Sequence, residues 1–449
     1  MNRSYPPGPD GGLFGMGNTI HFQANALGFL ETVAHRYGDI CFFQMGSNSI
    51  YLLNHPDLVQ EVFVKNAQNL LKPELLKQSN RGYWGDGLTS LEKEIWKTRR
   101  RLMQPAFHHQ RIAAYAQTIV DCTREMLAGW ELGERVNLDR EFLILSARIA
   151  ARVLFDAELE GYGSATENQK RAGLIPLEEA LGEAFTVSQG QGITNIFSLT
   201  RLRAKPKMEA TLSLIEQCLT AGEDRGDMLS FLISAKDDSG TPLEPSEIIG
   251  EVLQMFFAGH HTIPTSLIWL FYSLSQNVEE IETLFREELD RVLGEKLPDA
   301  ENLRVLGYGQ KLVKETLRFY APNSAIVREI VAEIPLEDYT LQPGTQVWVS
   351  PYLLHRDPRN FPHPERFWPD RFAKENAQHS KYAYLPFGVE PRLCIGNEFS
   401  LMQIQLISST IAQCYRLTLQ GEGNILPKAG LTIRPDRELW MRVGIPCRP

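Results

Sequence analysis

The sequence predicts a mainly α-helical fold with a minor β region. Long stretches place apolar residues at helical spacing, two short apolar runs flank a turn near the N-terminus, and no repeat or long linker divides the chain. Of 449 residues, 43% are hydrophobic and 22% charged, so the chain can bury a large core and is not of disordered composition. The expected organisation is a single large domain spanning residues 1–449.

In chain order, residues 40–44 and 50–54 read as the strands of a hairpin around the turn-like segment 46–49. Helical periodicity then predicts helices over 112–132, 142–154, 207–222, 247–276 and 278–293. Segments 161–173 and 190–192, bounded by glycines, read as loops. Strand character returns over 345–350 and 439–445. Pro245 suits the first position of the long central helix, although Glu244 is not a favoured cap. Pro264, inside that helix, predicts a kink and a broken turn beside Thr262, because proline has no N–H to offer the carbonyl of His260.

Charge and cysteine usage exclude several functions. Lys plus Arg number 46 against 55 Asp plus Glu, a net −9 that argues against a general nucleic-acid binder. Six cysteines without C-x-x-C spacing argue against a disulfide framework or a zinc site, and for a reducing compartment. The opening MNRSYPPGPDGG has no apolar signal core, and no run approaches ~20 apolar residues, so a cytoplasmic protein without a membrane span is expected.

The sharpest local feature is PFGVEPRLCIG, residues 386–396. Gly388 and Pro391 predict a compact loop, and the helical pattern that follows places Cys394 at a helix start. Backbone N–H groups and the helix dipole there favour a thiolate. Gly396 allows close approach to the backbone. A thiolate on such a loop suits haem iron, whereas a single cysteine taken alone reads as a buried structural thiol, the reading given to Cys41, Cys122, Cys218, Cys414 and Cys447.

This loop resembles that of the cytochrome P-450 family of haem-thiolate enzymes, F-x-x-G-x-R-x-C-x-G. Phe387, Arg392, Cys394 and Gly396 match it, while Glu390 stands where the family has glycine. Further family signatures occur in order: W-x-x-x-R at Trp96 and Arg100, AGHHT ending at Thr262, E-x-x-R at Glu315 and Arg318, HRDPRNFPHPERF from His355, and PDRF supplying Arg371. The opening PPGP and YGDI fit as well.

The resemblance implies the cytochrome P-450 fold, haem b (iron protoporphyrin IX) and the use of dioxygen. Cys394 would ligate iron and donate electron density that favours O–O cleavage. Arg100, Arg328 and Arg392 would meet the haem propionates, with Trp96 adding its indole N–H. Among the consecutive Arg99, Arg100 and Arg101, only one or two can point inward; the others, with Lys97, would form a basic patch for an acidic electron carrier. Glu315, Arg318 and Arg371 would form a buried cluster holding the cysteine loop. Thr262 would organise protons, and His261 replaces the acid usual before it, either relaying protons or only packing. The adjacent pairs His260–His261 and His108–His109 do not read as metal sites, because neighbouring helix positions diverge by about 100°.

By position, residues 83–88, Phe257, Ala258, 323–327 and 429–431 would contact a small, largely hydrophobic substrate. The expected protein is a monomeric, soluble bacterial-type monooxygenase without a fused reductase. Electrons from NAD(P)H would arrive through a ferredoxin or flavodoxin with its reductase. The alternatives are a peroxide-driven, oxidative-coupling or isomerase/lyase enzyme of the same fold, and a non-catalytic haem-thiolate sensor.

Overall fold

The N-terminal hairpin is present and its turn is tighter than the sequence suggests. The structure, a computed structural model, describes residues 5–12, 16–78, 86–155, 227–237, 239–376 and 379–445. Ile40–Met45 pairs antiparallel with Asn48–Leu53, and only Gly46 and Ser47 lie between the paired Met45 and Asn48. Gly46 has a φ of 58°, a conformation that glycine adopts at no steric cost.

Asn48–Leu53 pairs in parallel with Gln346–Val349, the strand expected over 345–350. Gln346–Val349 pairs antiparallel with Ile326–Ile330, which in turn pairs with Leu70–Leu71. Both faces of this sheet are buried. Tyr51 and Leu53 join one apolar cluster with Val347, Val349 and Ile330, whereas Ile50 and Leu52 join another with Leu30, Val33 and Phe43. Burial on both sides explains why residues 50–53 read as a continuous apolar run instead of an alternating one. The sheet belongs to a compact unit formed by Met1–Leu76, Lys314–Cys394 and Ile425–Asp436.

A second compact unit, Lys77–Val313, Ile395–Asn424 and Arg437–Pro449, is mainly helical. Its core packs Ala116–Leu127, Leu138–Phe155 and Asn397–Cys414 around or beside Pro245–Gln276. Trp269 is fully buried, and Phe142 meets Phe271 with ring centroids 5.7 Å apart. Trp440–Gly444, the strand expected near the C-terminus, pairs with Arg135–Asn137 and Arg416–Leu419.

Several helix limits differ from the sequence reading. The helix expected over 112–132 is two helices, His109–Ala114 and Ala116–Leu127, separated at Tyr115 (φ −83°, ψ −6°). The helix expected from 142 begins at Leu138, where Asp139 and Glu141 supply the acidic first turn that a helix dipole favours. Val278–Glu282 is a π turn leading into the helix Thr283–Leu293. The expected helix over 207–222 and the loops at 161–173 and 190–192 lie outside the described residues.

Glu244 proves to be a competent start for the long helix. Its backbone N–H donates to Glu247 Oε2 at 2.9 Å, one half of a capping box three residues apart. The helix also runs through Pro264 without interruption, so the broken turn expected there is not formed. Among the described residues, no helix is long and apolar enough to cross a membrane.

Candidate active site

On the long helix, burial is almost continuous from Ile248 to Leu274 except around one turn. There Ala258 is exposed, and Phe257, Gly259 and Thr262 are half-buried. A Cβ added to Gly259 would meet no heavy atom within 4 Å. Small residues thus keep one face of a core helix accessible midway along its length.

Thr262 Oγ1 donates to the carbonyl of Ala258 at 2.8 Å. Thr265 Oγ1 does the same to His261 (2.8 Å) and Ser266 Oγ to Thr262 (2.9 Å). These back-bonds flank Pro264 and go to the carbonyls of Ala258, His261 and Thr262, not to that of His260, whose usual amide donor the proline lacks. With its proton committed to Ala258, the Thr262 hydroxyl has lone pairs left to accept. His261 is buried, its ring 5.1 Å from that of Phe257 in an edge-on contact, and His260 stacks on Phe256. Among the described residues no group of three or more His, Cys, Asp and Glu could hold a metal ion.

Helix Lys93–Met103 sorts the arginine triplet. Arg99 is the buried one, donating to Glu251 at 2.9 Å and to Glu247. Arg100 is half-buried with its guanidinium 5.7 Å from the ring of buried Trp96, and Arg101 is exposed. Lys97 pairs with Glu94 at 2.6 Å on the surface, which neutralises part of the expected basic patch. Glu251 has no exposure; burial raises its pKa, opposed by the Leu88 amide and by Arg99. Beside it, Gln254 Oε1 accepts the Thr89 amide at 2.8 Å, so Glu251 and Gln254 staple residues 88–89 to the helix. Residues 83–85 of the expected substrate loop lie outside the described residues.

In the sheet-containing unit, Cys394 ends a short loop. Gly388 turns it with a φ of 85°, and the Cys394 amide closes it onto the carbonyl of Phe387 at 2.9 Å. The Cys394 thiol is exposed and not in a disulfide. Cys41 and Cys122 are buried, their thiol pKa values pushed up to about 12 and about 11 by desolvation, as inert structural thiols should be. Cys414 is exposed, not buried as expected, because it is the last residue of its helix, and Cys218 and Cys447 lie outside the described residues. Phe387 and Arg392 are half-buried, as is Arg328, whose Nη1 donates to Val327 O at 2.8 Å.

Glu390 does not carry the backbone strain that a positive φ would bring. Among the described non-glycine residues, positive φ occurs at Lys93, Glu337 and His363. Glu390 is exposed and pairs with Lys381 at 3.0 Å, so its departure from glycine is a surface substitution.

Gly396 precedes helix Asn397–Cys414 in the helical unit, and a Cβ there would meet the Phe107 ring at an ordinary 3.6 Å. Nothing in the chain around it requires glycine, and its φ of −93° is open to any residue. That helix is buried on all sides from Gln403 to Ala412, not along a single stripe.

Glu315 and Arg318 are completely buried, which excludes a solvated surface pair. The carboxylate accepts Arg318 Nε at 2.7 Å and Nη2 at 2.8 Å, the Trp368 amide at 2.7 Å and Arg371 Nε at 3.4 Å. Arg371 also donates to the carbonyls of Pro362, His363 and Arg366. Full hydrogen bonding is what makes a buried ion cluster tolerable.

The cytochrome P450 family model matches residues 6–439. The chain belongs to the cytochrome P450 family. It is 31% identical to cyclooctatin synthase of Streptomyces melanosporofaciens, covering 97% of this chain and 93% of that protein. Identity is 30% to cyclooctat-9-en-7-ol 5-monooxygenase of the same organism (90% and 87% covered) and 26% to pentalenene oxygenase of Streptomyces avermitilis (95% of each). The fold matches the heme domain of cytochrome P450DA with a TM-score of 0.86 over 98% of this chain and 97% of that one, at 22% identity. The P450 is therefore an oxidoreductase of the monooxygenase class, and its family implies haem and dioxygen.

The residues present fit that cofactor. Thiolate is a suitable ligand for haem iron, Cys394 offers an exposed thiol, and the chain around Gly396 does not itself demand a glycine. Sequence reasoning missed Arg99, hidden in a run of three arginines, and His355, whose role is tertiary. His355 is fully buried, and its Nε2 accepts the Leu385 amide at 2.8 Å.

Proposed function

We propose that this P450 inserts one atom of dioxygen into a small olefinic hydrocarbon or alcohol of the terpene class. The observation that carries the reading is the apolar, accessible turn Phe257–Thr262 on an otherwise buried helix. Phe257, Ala258 and Gly259 offer no charge and no long side chain, so a hydrocarbon surface fits there and an ionic one does not. Two relatives named for cyclooctat-9-en-7-ol, an unsaturated alcohol, and for pentalenene support this substrate class.

Cys394 is the proposed iron ligand, with Arg328, Arg392, Arg100 and Trp96 as partners of the haem propionates and Phe387 and Gly396 as cofactor-binding residues. When bound, the haem supplies dioxygen activation, assisted by the electron-donating thiolate. Thr262 Oγ1 holds a hydrogen bond to Ala258 and accepts one on its remaining lone pairs, so it orders a proton donor at the accessible turn. Phe257 and Ala258 give the same turn an apolar surface. His261 packs behind Phe257.

The match over residues 6–439 supports reading residues 1–449 as one P450 domain. Electrons from NAD(P)H through a ferredoxin or flavodoxin with its reductase are a further part of the proposal. A monomeric, soluble cytoplasmic protein is part of the same proposal. The test is a spectral screen of the haem-loaded protein with olefinic terpenes and their alcohols against fatty acids and charged ligands. Olefins should shift the Soret band and be oxidised only with NAD(P)H and a reductase system. Turnover with peroxide alone would favour the peroxide-driven alternative, and no turnover with any donor would favour a sensor.

A further inference from the structure

His355 joins two parts of the sheet-containing unit that are distant in sequence. Its Nδ1 lies 3.0 Å from the carbonyl of Arg318, and its Nε2 lies 2.8 Å from the amide of Leu385. The partners determine the tautomer. A backbone amide only donates, so Nε2 must accept; a carbonyl only accepts, so Nδ1 must carry the proton. The ring is therefore neutral.

Arg318 and His355 also hold one another reciprocally. Arg318 Nη1 donates to the carbonyl of His355 at 2.8 Å, while the His355 ring donates to the carbonyl of Arg318. Arg318 is itself fixed by the two oxygens of Glu315. On the far side, the Leu385 carbonyl accepts the Gly388 amide at 3.2 Å, and the Phe387 carbonyl accepts that of Cys394. The sequence of contacts runs from a buried ion cluster through one imidazole into the loop that ends at Cys394. A parallel link comes from Tyr384, whose hydroxyl donates to the Lys314 carbonyl at 2.9 Å and whose ring lies 5.2 Å from that of His355.

We propose that His355 is a positioning residue for the cysteine loop: it fixes the Leu385 amide, where the loop departs, to the main chain of Arg318. Glu315 and Arg318 reach the loop through this imidazole, and their other hydrogen bonds to neighbours go to His355 O, the Trp368 amide, Arg371 and the carbonyl of Arg366. The surroundings maintain the neutral ring. Burial pushes its pKa down to about 3, aided by the guanidinium groups of Arg318 and Arg356 and by His379, against the Arg318 carbonyl.

The inference rests on Cys394 as the haem ligand, and the test separates the two. In the haem-loaded protein, His355→Phe keeps a ring but removes the acceptor. The Leu385 amide should then exchange at least about tenfold faster, as expected when a buried N–H loses its partner. The carbon monoxide spectrum typical of thiolate-ligated ferrous haem should also decay faster on standing. His355→Gln places an acceptor near the position of Nε2 and should keep both rates within about twofold of the parent.

Unchanged Leu385 exchange in His355→Phe overturns the proposal, as does a glutamine variant no better than phenylalanine. Should the phenylalanine variant not fold, the ¹⁵N spectrum of His355 in the ferrous carbon monoxide form decides: Nε2 must be unprotonated, and a protonated Nε2 overturns the proposal. Persistence of the thiolate spectrum in Cys394→Ser would remove the haem-ligand reading while leaving Leu385 exchange to judge His355.

Discussion

Arg99 donates to Glu251 across 2.9 Å, with both side chains shut away from solvent. Removing the arginine strands a buried carboxylate, the costly half of a buried pair. Arg99→Ala should destabilise the protein by about 3–5 kcal/mol in denaturant unfolding. Glu251→Gln should cost less, because a glutamine oxygen still accepts the Leu88 amide. Equal and small effects from both would show that the pair is solvated in solution.

Glu315 supports two buried guanidinium groups, those of Arg318 and Arg371. Glu315→Ala leaves both without their carboxylate and should cost about 3–5 kcal/mol or prevent folding. Arg318→Lys is the finer probe. It keeps the charge but loses the donor pair to Glu315 and the donor to His355 O, so haem retention should fall while the chain still folds. Full haem occupancy in Arg318→Lys would count against a role for the cluster in holding the loop.

Much of this arrangement was legible in the sequence, for reasons that also explain what was not. The hairpin at residues 40–53 and the long helix to Gln276 are set by local apolar spacing, which a sequence displays directly. The break at Tyr115 and the π turn at Val278–Glu282 leave no mark in apolar spacing, and periodicity passes straight through them. Which of three consecutive arginines turns inward depends on Glu247 and Glu251, about 150 residues away. His355 was visible as part of a motif, but its role exists only once Arg318 and Leu385 are brought to its two nitrogens. Whether Glu390, standing where the family has glycine, strains its loop depends on a backbone angle that a sequence does not display, and its φ is not positive.

The pH dependence of folding follows from His355. Its pKa is about 3 in the folded protein, below the ordinary value near 6.5, so between these the unfolded chain binds one more proton. Stability contributed by the neutral ring is complete above about pH 6.5 and is lost as pH falls toward the folded value. The slope from this one group is up to about 1.4 kcal/mol per pH unit in that window. His355→Gln should flatten the stability curve by that amount between about pH 6 and 4 relative to the parent. An identical slope in the two proteins would mean that His355 titrates normally.

Cys394 and Cys414 are both exposed, but Cys394 ends a closed loop, whereas Cys414 sits at the end of a helix with its thiol pKa raised by desolvation. In the ferrous carbon monoxide form, Cys394→His should abolish the red-shifted band of thiolate-ligated haem. Cys414→Ser should leave it unaltered. Loss of the band in Cys414→Ser with retention in Cys394→His would reassign the ligand.

Thr262 and His261 are neighbours in sequence with different surroundings. The Thr262 hydroxyl lies at the accessible turn and has lone pairs available, whereas the His261 ring is buried against Phe257. Thr262→Ala removes the acceptor but leaves the Ala258 carbonyl its backbone donor, so stability should change by less than about 1 kcal/mol. Product formed per NAD(P)H consumed should nevertheless fall, with hydrogen peroxide making up the difference. Thr262→Ser keeps a hydroxyl at the same position and should stay close to the parent. His261→Ala should behave in the opposite way, costing about 1–3 kcal/mol through lost packing while coupling is retained. If coupling in the parent varies between about pH 5.5 and 8, and His261→Asp abolishes that variation, the histidine takes part in proton delivery and the packing assignment fails.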